Sequence, residues 1–287
     1  MATSSDKTPI RKLDRDSFPM RLWKKSNRHG VWNSDDIDFQ RDRQDWLALP
    51  KCKREHVLQL CAFFQAGEQS VTLELLPLMR LVASEGRLEE EIYLTSFLYE
   101  EAKHVEFFSS FLSTVCEETR DLSSYLNPSY KRIVCDELSD SLRRLDHDQS
   151  PEAQVRAAGT YHMVVEGMLA EGGYYLFDRM LVESQIFPGM QKAITFLRAD
   201  ESRHIAFGVY LLTRLIDEHG ERAYRAFLDR MSELAPLIKN STREFMNFFG
   251  REHAFGVNYE ELELFSSQRF NTRMRRILSA HERKSAK

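Results

Sequence analysis

Apolar side chains recur along most of this chain at alternating gaps of four and three, the spacing that places them on one face of an α-helix. Val57, Cys61, Phe64, Glu68, Val71, Leu75, Leu78 and Val82 make the first stripe and predict a helix from about 55. Leu94, Leu98, Glu101, Val105, Phe108, Leu112 and Val115 predict a second over about 88–117. Asn127 and Pro128 interrupt the pattern, and a shorter amphipathic helix from Tyr130 to about Asp146 makes the connection a long crossover. Ser150 and Pro151 read as N-cap and first residue of a third long helix to about Glu183, with Val155, His162, Glu166, Leu169, Gly173, Leu176 and Met180 inward. After the break at Phe187, Pro188 and Gly189, Ile194, Leu197, Glu201, His204, Gly208, Leu211 and Leu215 mark a fourth, ended by His219 and Gly220. Two further helices are expected near 221–248 and 259–282.

Residues 1–50 depart from this pattern. They hold no Glu, all three Trp (Trp23, Trp32, Trp46) and frequent Asp, which predicts an irregular, aromatic-anchored arm ahead of a single helical domain over 51–287. Two helix pairs of matching design, separated by a crossover, describe an all-α four-helix bundle with additional helices. No repeat recurs more than twice, so a solenoid is excluded.

Composition narrows the function classes. With 42% hydrophobic and 29% charged residues among 287, and only 12 Gly and 8 Pro, the chain is neither disordered nor collagen-like and holds a substantial core. Its 40 basic and 44 acidic residues leave a net charge of -4, with no positive field to grip a nucleic-acid backbone. The longest apolar run, Ile205 to Leu212, is too short to span a membrane, and the first thirty residues carry charges throughout and no apolar signal core. A cytoplasmic protein without a transmembrane segment is expected. Cys52, Cys61, Cys116 and Cys135 form no CxxC pair and read as free or buried thiols.

The chemistry lies where the stripes carry acid. Of nine histidines only His104 and His204 follow a Glu by three residues, as Glu101-Ala-Lys-His104 and Glu201-Ser-Arg-His204. The bare tetrapeptide is weak evidence, but both copies fall on core-facing stripes, where residues three apart share one face and can grip one ion. Glu68 and Glu166 each sit where a helix should bury an apolar side chain. Four inward carboxylates cannot stay ionised unpaired, and no Lys or Arg shares their stripes. Two divalent cations would neutralise them. One Glu from each of two helices plus Glu-x-x-His from each of two others is the arrangement of ferritin-like dimetal carboxylate proteins. Oxygen and imidazole donors without thiolate favour iron or manganese, and such a pair suits dioxygen activation. Asp200 is positioned to accept the outer N–H of His104, and His162, one turn before Glu166, reads as a core or supporting histidine rather than a seventh ligand.

On Gly67-Glu68-Gln-Ser-Val71-Thr, Glu101-Ala-Lys-His104-Val-Glu106, Tyr161-His-Met-Val-Val-Glu166-Gly and Asp200-Glu201-Ser-Arg-His204, the chain resembles the ribonucleotide reductase small-subunit superfamily. The likeness spans about residues 20–250 and is strongest to the ligand-binding oxidase branch. Radical-bearing small subunits place a tyrosine where this chain has Phe108, and commonly have Asp where it has Glu68. The end of the chain, 279–287, also differs from their acidic, aromatic docking peptide.

The resemblance implies a mixed manganese and iron cofactor, one ion of each per chain, with manganese at Glu68, Glu101 and His104 and iron at Glu166, Glu201 and His204. It further implies a long-chain fatty acid or similar amphiphile with its carboxylate at the metals, and a covalent link between Val71 and Tyr161 formed on oxygen exposure. Phe63, Phe64, Phe107, Phe108 and Phe111 are candidates to surround that ligand or simply to pack the core. The expected protein is a homodimeric two-electron oxidoreductase. A radical-storing reductase subunit, a diiron N-oxygenase and a non-enzymatic metal-storage protein are the alternatives.

Overall fold

A computed structural model describes residues 12–248, 255 and 258–285. Residues 1–11 of the expected arm and 286–287 of the expected helical domain lie outside them. The described residues are helical with no strand.

The arm is not irregular, as its composition suggested. It holds α1 (Phe18–His29) and α2 (Gln40–Ala48). Its aspartates, read as helix-breaking, serve another helix. Asp42 of α2 accepts the backbone N–H groups of Gly189 and Met190 at 2.8 and 2.7 Å, and Asp45 accepts that of Phe187 at 2.9 Å. These carboxylates satisfy the open N–H groups at the start of α10 (Pro188–His219) and complement its dipole. A side chain at Gly189 would collide with the Asp38 carbonyl, its Cβ at 2.7 Å, so only glycine admits this cap.

The core consists of four rods. The first is α3 (Lys51–Glu74); the stripe continues to Val82, but Pro77 cannot donate to the ladder and crowds the turn before it, so α4 (Leu76–Ser84) starts afresh. The second is α5 (Leu88–Thr114), packed along α3. The crossover carries α6 (Pro128–Lys131), capped by the Asn127 side chain, then a π segment, Arg132–Glu137, and α7 (Leu138–Arg144). The third rod is composite. It opens at α8 (Pro151–Ala158), whose Ala153 N–H donates to the Ser150 hydroxyl as the sequence predicted. A second π segment, Gly159–Ala170, follows, then α9 (Glu171–Phe177) and a third π segment, Asp178–Val182. The fourth rod, α10, packs on the third. Gly220, at φ +67°, turns the chain into α11 (Glu221–Asn247), and α12 (Tyr259–Ser285) closes the outside against α9, α10, α11 and the π segment Gly159–Ala170. Among the described residues no helix is long and apolar enough to cross a membrane.

Candidate metal centre

Each rod delivers its acid to the same point. Glu68 comes from α3, Glu101 and His104 from α5, Glu166 from the π segment and Glu201 and His204 from α10, and none of the six is more than 5% exposed. Ligand atoms of Glu68, Glu101, His104 and Glu201 lie within 4.8 Å of one another, and so do those of Glu101, Glu166 and His204. Glu101 approaches both imidazoles, with its oxygens 3.8 Å from Nδ1 of His104 and 3.2 Å from Nδ1 of His204. Glu201 does the same at 3.3 and 3.6 Å. Of these two imidazoles Glu68 faces His104 alone, at 3.4 Å, and Glu166 faces His204 alone, at 3.9 Å. Glu101 and Glu201 occupy the two central positions, and Glu68 and Glu166 the two ends.

The donor set fits a pair of cations. Nδ1 of both histidines and one oxygen each of Glu101, Glu166 and Glu201 are buried without a hydrogen-bond partner. Native interiors seldom leave such atoms orphaned, and here five converge. The charges agree. Burial foremost holds Glu68 and Glu166 well above the usual carboxylate range. Burial opposes charging His104 and His204, yet the surrounding carboxylates raise both well above an ordinary imidazole. Protons thus fill the role that cations would take over.

Outer hydrogen bonds aim the imidazoles, and they cross. Nε2 of His104 on α5 faces Asp200 of α10 at 3.4 Å, while Nε2 of His204 on α10 donates to Glu100 of α5 at 2.9 Å. With the outer nitrogens so engaged, both Nδ1 lone pairs point inward. The guanidinium of Arg203 reaches Glu100 at 2.6 Å and also bonds Asp200. Asp200 additionally accepts from Nε1 of Trp32 at 2.8 Å and lies 3.3 Å from Nζ of Lys103. Sequence reasoning found Asp200 but missed Glu100, although the signal was present: each Glu-x-x-His is preceded directly by an acid.

The π segment explains Tyr161. On a regular helix it points away from Glu166, five residues on, but i to i+5 bonding makes residues five apart neighbours. Tyr161 is fully buried and its hydroxyl donates to Glu101 at 3.2 Å. His162 lies 2.8 Å from Glu166 through Nδ1 and stays neutral, burial holding its pKa down to about 3. Its ring sits so close to α10 that a Cβ on Gly208 would fall 2.1 Å from its own. Val71 follows Glu68 by one turn and shares with it the wall of a largely apolar pocket, here called the tunnel, that opens to solvent. Glu101, Glu166 and Glu201 close the polar end; Phe63, Phe64, Leu169 and Leu176 line the apolar length, and Ser241, Thr242 and Ser266 of α11 and α12 complete the wall.

Residues 16–279 match the ribonucleotide reductase small chain family. The chain belongs to that family. Within it, the fold resembles an R2-like ligand-binding oxidase with aerobically reconstituted Mn/Fe cofactor, at TM-score 0.90 and 37% identity over 96% of this chain and 98% of that one. Two variants of such an oxidase, also with aerobically reconstituted Mn/Fe cofactor, are similar as well. One with a valine replaced by isoleucine matches at TM-score 0.88 and 38% identity over 92% of this chain and 95% of its own. One with a tyrosine replaced by phenylalanine gives 0.88 and 38% over 92% and 94%.

Membership in the small chain family makes Phe108 informative. It is fully buried and stacks on Phe64 at 4.9 Å and Phe177 at 6.3 Å, with no hydroxyl of its own. Of the five phenylalanines considered as ligand neighbours, Phe63 and Phe64 line the tunnel, whereas Phe107 and Phe111 pack against Phe39 in the core. All four cysteines are free, Cys61 and Cys116 buried and Cys52 and Cys135 exposed, and none belongs to the carboxylate cluster.

Proposed function

We propose that the chain is a dimetal oxidase that holds one manganese and one iron, activates dioxygen, and works beside a bound long-chain fatty acid or similar amphiphile. The observation that carries this reading is the convergence of five orphaned, buried ligand atoms from two helices and a π segment on one point at the head of an apolar pocket. Glu68, Glu101 and His104 would hold manganese and Glu166, Glu201 and His204 iron, Glu101 and Glu201 each lying within 4 Å of both histidines. Bound there, the metal pair would supply the reduction of dioxygen and with it a two-electron oxidation.

The chain's own residues set the conditions. Asp200 and Glu100 fix which nitrogen of each histidine faces inward. An amphiphile in this pocket would set its carboxylate at the Glu101, Glu166 and Glu201 end and its tail against Phe63, Phe64 and Leu176, away from water. Val71 lines the same pocket as Glu101, and the Tyr161 hydroxyl donates to Glu101. Each would give up one hydrogen, from Cβ–H and O–H, as a Val71–Tyr161 C–O bond forms, with the two electrons and two protons passing to dioxygen.

The test is reconstitution. Full-length protein loaded anaerobically with Mn(II) and Fe(II) and then exposed to air should retain one ion of each per chain by elemental analysis. Solvent extraction and mass spectrometry should release a fatty acid. Retention of no more than one ion, or absence of any amphiphile from several expression hosts, would overturn the reading. Sedimentation of the same material tests the expected homodimer.

A further inference from the structure

The π segment Gly159–Ala170 departs from α-helical bonding just where it carries Glu166. The N–H of Glu171 reaches the carbonyls of Glu166 and Met168, passing over that of Gly167, its partner in a regular α-helix. Another group takes that carbonyl. Arg273, buried on α12, donates to the Gly167 oxygen through one terminal nitrogen and to Glu171 at 2.7 Å through the other. The guanidinium thus spans the junction where the π segment ends and α9 begins.

The residue opposite is matched to it. A Cβ on Gly167 would lie 3.2 Å from Cζ and Nε of Arg273 and 2.7 Å from the His162 carbonyl, so glycine is what lets the guanidinium reach the backbone. The same helix supplies Leu262 and Ser266 to the tunnel wall, where they meet Gly172. One outer helix therefore touches both the ligand channel and the backbone beside an end carboxylate.

We propose that Arg273 is a positioning residue for Glu166: by replacing the forfeited helical bond at Gly167 it holds the π register that turns Glu166 toward His204. The proposal rests on the dimetal reading above. Losing the clamp frees the segment to recover α-helical pairing, and a change of register rotates Glu166 and leaves Glu68 on α3 untouched. The effect falls on the ion at Glu166 and His204 and spares the one at Glu68 and His104.

The full-length chain titrated anaerobically with Mn(II) alone provides the test, followed by electron paramagnetic resonance and equilibrium dialysis. A chain holding two adjacent ions gives an exchange-coupled signal; a chain holding one gives an isolated six-line signal. Arg273→Met should bind the first ion as wild type does and the second roughly ten- to a hundredfold more weakly, the usual cost of removing an outer partner. It should show the isolated signal where wild type shows the coupled one. Arg273→Lys, which keeps the charge but cannot serve Gly167 and Glu171 together, should also lose affinity for the second ion and carries the test if the Met variant fails to fold. Unchanged binding of both ions, or equal weakening of both, would overturn the assignment. A wild-type chain that never takes up two ions would refute the dimetal reading itself and the clamp with it.

Discussion

Glu100 on α5 and His204 on α10 form a hydrogen bond of 2.9 Å across the bundle, and Asp200 beside His204 faces His104 back on α5. Each of the two facing helices thus supplies a Glu-x-x-His and, one residue earlier, the acid that orients the other's imidazole. Arg203 joins the two outer acids, so both histidines are held by one buried network. A single-residue shift of either helix would displace both.

That crossing makes a specific prediction. Glu100→Gln should weaken the ion at His204, and Asp200→Asn the ion at His104, each by roughly ten- to a hundredfold. Metal affinities from anaerobic titration would check the pattern, and an effect confined to the mutated residue's own helix would contradict it.

The central and end carboxylates should differ in kind. Glu201→Ala removes a group near both histidines and should leave less than about one ion per chain, whereas Glu68→Ala should keep about one, because metal affinity follows the ligand set that remains. Elemental analysis after anaerobic loading and desalting distinguishes the two.

Much of this site could be read from the chain because helical periodicity makes a buried acid conspicuous. Glu68, Glu101, Glu166 and Glu201 break apolar stripes, and the four rods bring them together. What could not be read depends on contacts between distant segments. Asp42 and Asp45 look like helix breakers until Phe187, Gly189 and Met190 are seen donating to them. The π register that carries Tyr161 inward leaves no mark on periodicity, since its support comes from Arg273 more than a hundred residues later in the chain. Pro77 was visible as a residue, yet the stripe ran through it to Val82 and concealed the break between α3 and α4.

The titration of the site predicts opposite pH trends with and without metal. Glu68, Glu166, His104 and His204 all have folded pKa values raised above their unfolded ones. Groups of that kind lend full stability below the unfolded pKa and lose it as pH rises through the folded value. Glu201 is the reverse: burial pushes it up, but hydrogen bonds with both histidines hold it at about 2, so its contribution is lost only in strong acid. Metal-free protein should therefore melt at progressively lower temperature as pH rises from about 5 to about 9. Cations displace those protons, so metal affinity should rise over the same interval with release of protons. Calorimetry of stripped and loaded protein checks both, and a metal-free chain that gains stability toward alkaline pH would contradict the sign.

Closing the tunnel should separate ligand from metal. Gly172 lies in its wall, and a Cβ there would meet Ser266 and Leu262 at 3.4 and 3.5 Å, ordinary contact distances. Gly172→Leu would fill the channel and, being helical, should gain rather than lose about 0.5–1 kcal/mol of helix propensity. Two ions per chain with no extractable amphiphile is the expected result. Amphiphile at wild-type levels would show that the ligand lies elsewhere.

The most exacting prediction concerns Val71 and Tyr161. Both are buried, and the proposed link between them predicts an outcome that simple packing does not. The Tyr161 hydroxyl already donates to Glu101, which gives its proton an acceptor at 3.2 Å as the phenol oxygen forms a new bond. Val71 offers a tertiary Cβ–H on the tunnel wall it shares with Glu68, one helical turn away. The phenol itself resists ionisation, since burial and then the nearby carboxylates raise its pKa, so loss of the proton must accompany loss of an electron. Phe108 meanwhile provides no hydroxyl to compete for the oxidising equivalents. After aerobic reconstitution with Mn(II) and Fe(II), peptide mapping should find the Val71 and Tyr161 peptides joined with loss of two hydrogens. Anaerobic loading should leave them separate. Tyr161→Phe, which keeps the ring and removes the oxygen, should abolish the joined species while preserving metal content. Free Val71 and Tyr161 peptides after complete oxidation would refute the link, leaving the hydroxyl of Tyr161 as a hydrogen-bond donor to Glu101.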